Sequence, residues 1–244
     1  MHSLTDSGVQ RPGYGVNVRQ ICPPGHCEFA LQWQSVPAGM PLHTPLAYLS
    51  GALLVAGGGA ILSRQYERAG ALLLALFYGL WVVAFHLPNA LAGYKHIGAW
   101  NGPAEITYLT MGAVALLSAH AGQMRRTLAL VARVLAGLSA VVFGFAHFNY
   151  SDFTATMVPA WIPPSQVFWA WATGAGHLAA GVALVTGLQA RLAVTLHAVM
   201  MGSFVLFVHI PRVMASPEKH EEWIMLAVSS ALTGSALLIR KYAT

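Results

Sequence analysis

Residues 69–87 read AGALLLALFYGLWVVAFHL, a stretch without a single charged side chain. At a rise of 1.5 Å per residue, a helix needs about 17–25 residues to cross the hydrocarbon core of a bilayer. The stretch is apolar on every face, whereas a surface helix of a soluble protein carries a polar side. The residues therefore predict a transmembrane helix.

Six further stretches share this length and apolarity, and the composition of the whole chain agrees with them. Hydrophobic residues make up 56% of the 244 positions and charged residues 9%, against about 25% charged in soluble domains. Helices are predicted because a bilayer offers no water to satisfy open strand edges. The fold class is therefore all-α, a polytopic membrane helical bundle of about seven transmembrane helices. The other six spans are 45–62, 104–121, 128–147, 166–186, 192–210 and 223–239.

The ends of these spans predict an orientation. Residues 1–44 contain no apolar stretch of signal-peptide type and form a polar tail. Near the spans and in the tails, one side carries seven Lys and Arg residues and the other five, which predicts an N-terminus outside and a cytoplasmic C-terminus. Ala-, Gly- and Arg-rich usage with short loops favours a bacterial inner membrane.

The chain also contains an internal similarity. VPAGMP at 36–41 recurs as VPAWIP at 158–163, and residues 47–88 align without a gap at an offset of 123. If six positions are then deleted, Glu105 matches Glu222. This pattern predicts a parallel internal repeat, with a first three-helix repeat over 45–121 and a four-helix unit over 128–241.

Three segments of the second half resemble the DoxX-type membrane proteins. They are FAHF at 145–148, VPAWIPP at 158–164 and TGAGHLAAG at 173–181. The resemblance implies a four-helix unit over 128–241 and a partial second copy in the first half. It also implies a subunit or partner of a membrane redox complex, such as a thiosulfate:quinone oxidoreductase. The family often has an acidic residue where His177 lies here.

His177 is the candidate catalytic residue. It lies near the midpoint of its span, where ionisable groups are rare and usually face the bundle interior. It also borders a ridge of small residues, Ala172, Gly176 and Ala180, which permits close helix packing. Two interpretations remain open: a proton or quinone site, or a neutral histidine bonded to a backbone carbonyl or a serine. His197 is predicted to be structural.

His86, His147 and His209 all fall at the outer ends of their predicted helices. Imidazoles at one level suit a haem iron, copper or a quinone headgroup, so these three are candidate cofactor-binding residues. The competing interpretation is stabilisation of helix ends, where Pro88 and Pro211 are predicted to terminate the helices. No spacing typical of a metal site occurs, and no metal is predicted. The sequence leaves open whether Cys22 and Cys27 form a disulfide in the tail.

Three functions follow from these observations. The first is a DoxX-type subunit or partner of a quinone-linked redox system, with an oxidoreductase partner. The second is a small-molecule or proton transporter that uses His177, and the third is a non-catalytic membrane scaffold. The sequence leaves open whether the protein is an enzyme and whether it forms an oligomer. It predicts a lipid bilayer as surroundings and no nucleic acid as a partner.

Overall fold

The computed structural model describes residues 41–244, and this part of the chain is helical without strands. The predicted all-α membrane bundle is confirmed. Most of the polar tail, with Cys22 and Cys27, lies outside the described residues. The α-helices are α1 (His43–Leu62), α2 (Glu67–Trp81), α3 (Leu87–Ala92), α4 (Ile97–Ser118), α5 (Arg125–Asn149), α6 (Ser151–Met157), α7 (Gln166–Thr186), α8 (Ala190–Phe204), α9 (Ile210–Ala215) and α10 (His220–Tyr242).

Six helical stretches of the described chain are long and apolar enough to cross a bilayer, and the protein is a multi-pass membrane protein. Four of them contain α1, α5, α7 and α10. The other two are continuous through a π-helical turn, Glu67–Ala92 and Ala190–Ala215.

Helix α4 is the seventh long helix and lies inside the bundle, where it packs against α2, α5 and α10. The prediction placed this span at 104–121, but the helix begins at Ile97 and ends at Ser118. It runs through Pro103, which removes one backbone donor without ending the helix. Its first turns, residues 97–102, are partly exposed, whereas its buried residues begin at Pro103.

Each of the two continuous helices contains a π-helical turn, Val82–His86 and Val205–His209. After each turn the next backbone N–H donates to the carbonyl five residues earlier, Leu87 to Val82 and Ile210 to Val205. The wide turn lets the chain continue helically into a proline, which has no N–H to donate. The prediction that Pro88 and Pro211 terminate their helices is therefore wrong.

The two halves of the described chain have corresponding helix bounds. Helices α1, α2 and α4 begin 123 positions before α7, α8 and α10, and the two π turns have the same offset. Trp100 and Trp223 both donate from Nε1 to the carbonyl six residues earlier, at 3.1 and 2.9 Å. No deletion is needed. The predicted match of Glu105 with Glu222 is wrong, because Glu105 lies in the third turn of α4 and Glu222 in the first turn of α10.

Helices α5 and α7 are in close contact through glycines. A Cβ atom added at Gly181 would lie 2.7 Å from the carbonyl oxygen of Gly137, and one at Gly174 would lie 3.0 Å from Cβ of His147. Small residues let membrane helices approach closely in this way. The close contact positions the side chains of α5 directly against α7, where His177 lies.

Candidate functional site

Three polar side chains from three helices form a hydrogen-bonded chain in the bundle interior. The hydroxyl oxygen of Tyr108 on α4 lies 3.0 Å from Nδ1 of His197 on α8. Nε2 of His197 lies 2.8 Å from Nδ1 of His177 on α7. Tyr108 is fully buried, and the two histidines are 2% and 3% exposed. We call Tyr108, His197 and His177 the relay.

The relay has two proton arrangements. In the first, the Tyr108 hydroxyl donates to His197, His197 donates from Nε2 to His177, and His177 keeps its proton on Nε2. In the second, His177 donates from Nδ1 and His197 donates from its own Nδ1 to the tyrosine oxygen. A neutral imidazole has one donor and one acceptor nitrogen, so both bonds reverse together. Conversion of the first arrangement into the second passes one proton along the chain. Tyr108 gives its proton to Nδ1 of His197, and Nε2 of His197 gives one to Nδ1 of His177. His177 releases its Nε2 proton, and Tyr108 takes up a new one in its place.

His147 on α5 lies beside one end of the relay. Its ring centroid is 4.7 Å from that of His177, and its Nδ1 lies 2.8 Å from the carbonyl oxygen of Phe143. A carbonyl only accepts, so Nδ1 of His147 carries a proton. In neutral His147 the Nε2 atom is therefore the nitrogen free to accept a proton.

A groove of about 660 Å³ between α5 and α7 is lined by apolar side chains. Phe148, the neighbour of His147 in the chain, packs edge-to-face on Trp171 with ring centroids 5.2 Å apart. Phe168 and Ala172 of α7 also line the groove. We call this the aromatic groove. An apolar ring of a lipid-soluble molecule fits such a surface better than a charged substrate does.

The other two predicted histidines lie apart from the relay, at the ends of the π turns. His86 and His209 are 4% and 7% exposed. Nε2 of His86 and Nδ1 of His209 are buried without a hydrogen-bond partner in the described chain. Residues 41–244 contain no group of three or more His, Cys, Asp or Glu that could hold a metal ion. His86, His147 and His209 therefore do not fit a haem iron or a copper ion that all three would hold together.

An ion pair lies near His209. Arg212 donates from Nε and Nη2 to the two carboxylate oxygens of Glu222, at 2.8 and 2.7 Å. The pair connects α9 to the first turn of α10, across the connection 216–219. It fixes this end of the second half and is not part of the relay.

Sequence reasoning missed two members of the relay. His197 was predicted to be structural, yet its ring bonds to both other members. The signal was available, because His177 and His197 lie at similar distances from the turn at 187–189 and thus at similar depth in a helical hairpin. Tyr108 gave no such signal, since its partner is 89 positions away in the chain.

The comparisons with known proteins bear on the part of the chain that holds the three histidines at and beside the relay. The DoxX family model matches residues 128–210. The DoxX match covers α5 to α8 and includes His147, His177 and His197, whereas Tyr108 and His86 lie outside it. No curated protein and no solved structure matched the chain. The DoxX resemblance of the second half is confirmed, and a second DoxX-like copy over 36–121 stays a prediction.

Proposed function

We propose that the protein is a subunit of a quinone-linked redox system, in which the relay and His147 exchange protons with a quinone. The observation that carries the proposal is the buried Tyr108–His197–His177 chain, which ends beside His147. Reduction of a quinone to a quinol takes up two electrons and two protons. The electrons come from an oxidoreductase partner. Side chains pass the two protons to the quinone and are reprotonated from water at the membrane surface, because the bilayer interior itself supplies no protons.

The aromatic groove is the proposed binding surface for the quinone ring. Phe148 and Trp171 offer ring faces and edges for stacking, which suits a flat, weakly polar ring. His147 lies next to Phe148, with Nδ1 held by the carbonyl of Phe143. Its Nε2 is the atom that takes up and releases the proton.

A scaffold alone does not need this site. Burying three polar side chains in a membrane bundle costs free energy that leucines in their place would not cost. Proton exchange with a quinone supplies a reason for the cost. In support, ionisable groups inside transmembrane segments usually mark proton or substrate paths.

The proposal extends to topology and origin. We propose that the N-terminus is outside and the C-terminus is in the cytoplasm of a bacterial inner membrane, which the arginine-rich connections support. We also propose that the two halves arose by duplication. The common offset of 123 in helix starts and π turns supports this origin.

Photolabelling tests the quinone site. The purified protein in lipid nanodiscs is labelled with an azido-ubiquinone, and the labelled peptides are mapped. We expect saturable labelling within 147–175, which excess decylubiquinone removes. His147→Leu should weaken quinone binding about tenfold, because one hydrogen bond to the ring oxygen is lost. His86→Leu, at a helix end of the first half, is the matched control and should bind normally.

Membrane assays test the redox role. Quinol formation is measured in membranes of cells that lack the chain and of cells that carry the wild-type or His177→Leu form. Wild type should restore quinol formation, and His177→Leu should not, at equal protein levels. Unspecific labelling together with pH-dependent flux into liposomes would instead indicate a transporter. Normal quinol formation in His177→Leu, without such flux, would instead support a non-catalytic scaffold.

A further inference from the structure

A pocket of about 390 Å³ lies at the opposite end of the bundle from the aromatic groove. We call this end, with the connections 63–66, 119–124 and 187–189, the arginine-rich end. The pocket lies where α5 and α8 begin and α7 and α10 end. Two arginines, Arg133 of α5 and Arg191 of α8, line it together with Gly187 and Gln189. Its volume is within the range of small-ligand sites, about 300–1,000 Å³.

The glycine at 187 makes room for the guanidinium of Arg133. Gly187 ends α7 with φ 82°, a left-handed conformation that side chains with a Cβ disfavour. A Cβ added there would also overlap Nη1 of Arg133. The backbone of the turn thus lets the guanidinium approach, and the arginine lies against the rim of the pocket.

The pocket carries the positive charge of two guanidinium groups, and Ala243 and Thr244 also line it. Within residues 41–244, neither Arg133 nor Arg191 has a carboxylate within ion-pairing distance. Arg133 is half-buried and lies two helical turns from the start of α5. Partly buried guanidinium groups without a counterion favour an anion that accepts several hydrogen bonds.

We propose that this pocket binds a phosphate group, with Arg133 and Arg191 as its two cationic contacts. Planar guanidinium groups bind phosphate oxygens in pairs of parallel hydrogen bonds. The arginine-rich end faces the headgroup region of the bilayer, where phospholipids supply such groups, and basic pockets between membrane helices bind anionic headgroups. Free phosphate in solution offers the same chemistry. This proposal does not depend on the quinone site.

Native mass spectrometry of the detergent-solubilised full chain tests it. The protein is incubated with equal amounts of phosphatidylglycerol or phosphatidylcholine, or with inorganic phosphate alone. We expect phosphatidylglycerol to be retained in preference to phosphatidylcholine. Arg133→Gln and Arg191→Gln should each reduce retention about tenfold, because a charge-assisted hydrogen bond is lost. Arg126→Gln, at the same end of α5 but outside the pocket, is the matched control and should retain the lipid.

The experiment distinguishes a lipid headgroup from free phosphate, and it has outcomes that contradict the proposal. Retention of phosphatidylglycerol that inorganic phosphate does not displace supports a lipid headgroup. Binding of inorganic phosphate that Arg191→Gln abolishes supports a free phosphate. Arg191 is exposed, so its variant tests the pocket even if Arg133→Gln does not fold. Equal retention of both lipids without phosphate binding, or an equal loss in Arg126→Gln, overturns the proposal.

Discussion

The first-half hairpin, α1 and α2, and the second-half hairpin, α7 and α8, differ at the two positions that matter most. Both hairpins begin at corresponding residues, and α2 and α8 each lead into a π turn that ends in histidine. The second half has His177 and His197 where the first half, 123 positions earlier, has Leu54 and Leu74. The same architecture thus forms with leucines, so the fold does not require the histidines. Their presence calls for a functional explanation.

The two hairpins also differ in how closely they pack. Gly181 lies against the backbone of α5, whereas at Gly58, the corresponding position of the first half, an added Cβ would meet nothing within 4 Å. Helix α5, which has no counterpart in the described first half, provides this contact. The second half is therefore closed by one more helix, and the two histidines of the relay lie inside it.

Gly181→Ala should have the largest effect on stability. The added methyl group meets the backbone of Gly137 and Val141 at 2.7 to 2.8 Å, and overpacking should lower the free energy of unfolding by about 3 kcal/mol. Gly58→Ala should be neutral or stabilising by up to about 1 kcal/mol, since alanine favours helix. Unfolding in mixed micelles with increasing dodecyl sulfate measures both. Equal losses would show that the two hairpins are packed alike.

Exchange of the histidines for the residues of the first half should have the next largest effect. His177→Leu and His197→Leu should each cost about 2 kcal/mol, because each leaves a buried partner without its hydrogen bond. The double variant should cost clearly less than the sum, since the bond between the two rings is removed from both sides. The same unfolding assay, applied to both single variants and the double variant, completes this double-mutant cycle. Additive losses would mean that the two rings do not interact.

Tyr108→Phe should cost about 1 kcal/mol. It removes the hydroxyl that bonds to Nδ1 of His197 and keeps the ring that packs near Phe143. Tyr78→Phe on α2 is the matched control, because the structure gives the hydroxyl of Tyr78 no hydrogen bond within the described chain. Unfolding curves should therefore show a larger loss of stability in Tyr108→Phe than in Tyr78→Phe. A larger loss in Tyr78→Phe would argue against the relay as described.

The ion pair near the connection 216–219 should have the smallest effect. At the corresponding positions the first half has Asn89 and Ala99, so the double variant Arg212→Asn, Glu222→Ala imitates it. The side chain of Arg212 is 40% exposed and that of Glu222 is 9% exposed. Because the double variant removes both partners and leaves neither charge unpaired, we expect a loss of only about 0.5 kcal/mol. High salt should reduce the difference from wild type. A loss that does not respond to salt would point to packing instead.

Apolar runs predicted most of the helices correctly because lipid selects strongly for them. They located α4 poorly, since its first turns carry Asn101 and Glu105 and do not form an apolar run. They also missed the π turns, whose hydrogen bonds change without any change in apolarity. Depth in the span and the adjacent ridge of small residues single out His177. Its partners required the packing of α4 and α8, which no local pattern records.

The two π turns have a consequence for the history of the chain. A π turn corresponds to one residue inserted into a helix, which rotates everything after it by about 100°. Such an insertion is found at the same position in both halves, ahead of the same His-x-Pro sequence. Under the proposed duplication it happened once, in a single-copy ancestor, and both descendants inherited it. The wide turn is then older than the divergence that gave only one half its histidine pair.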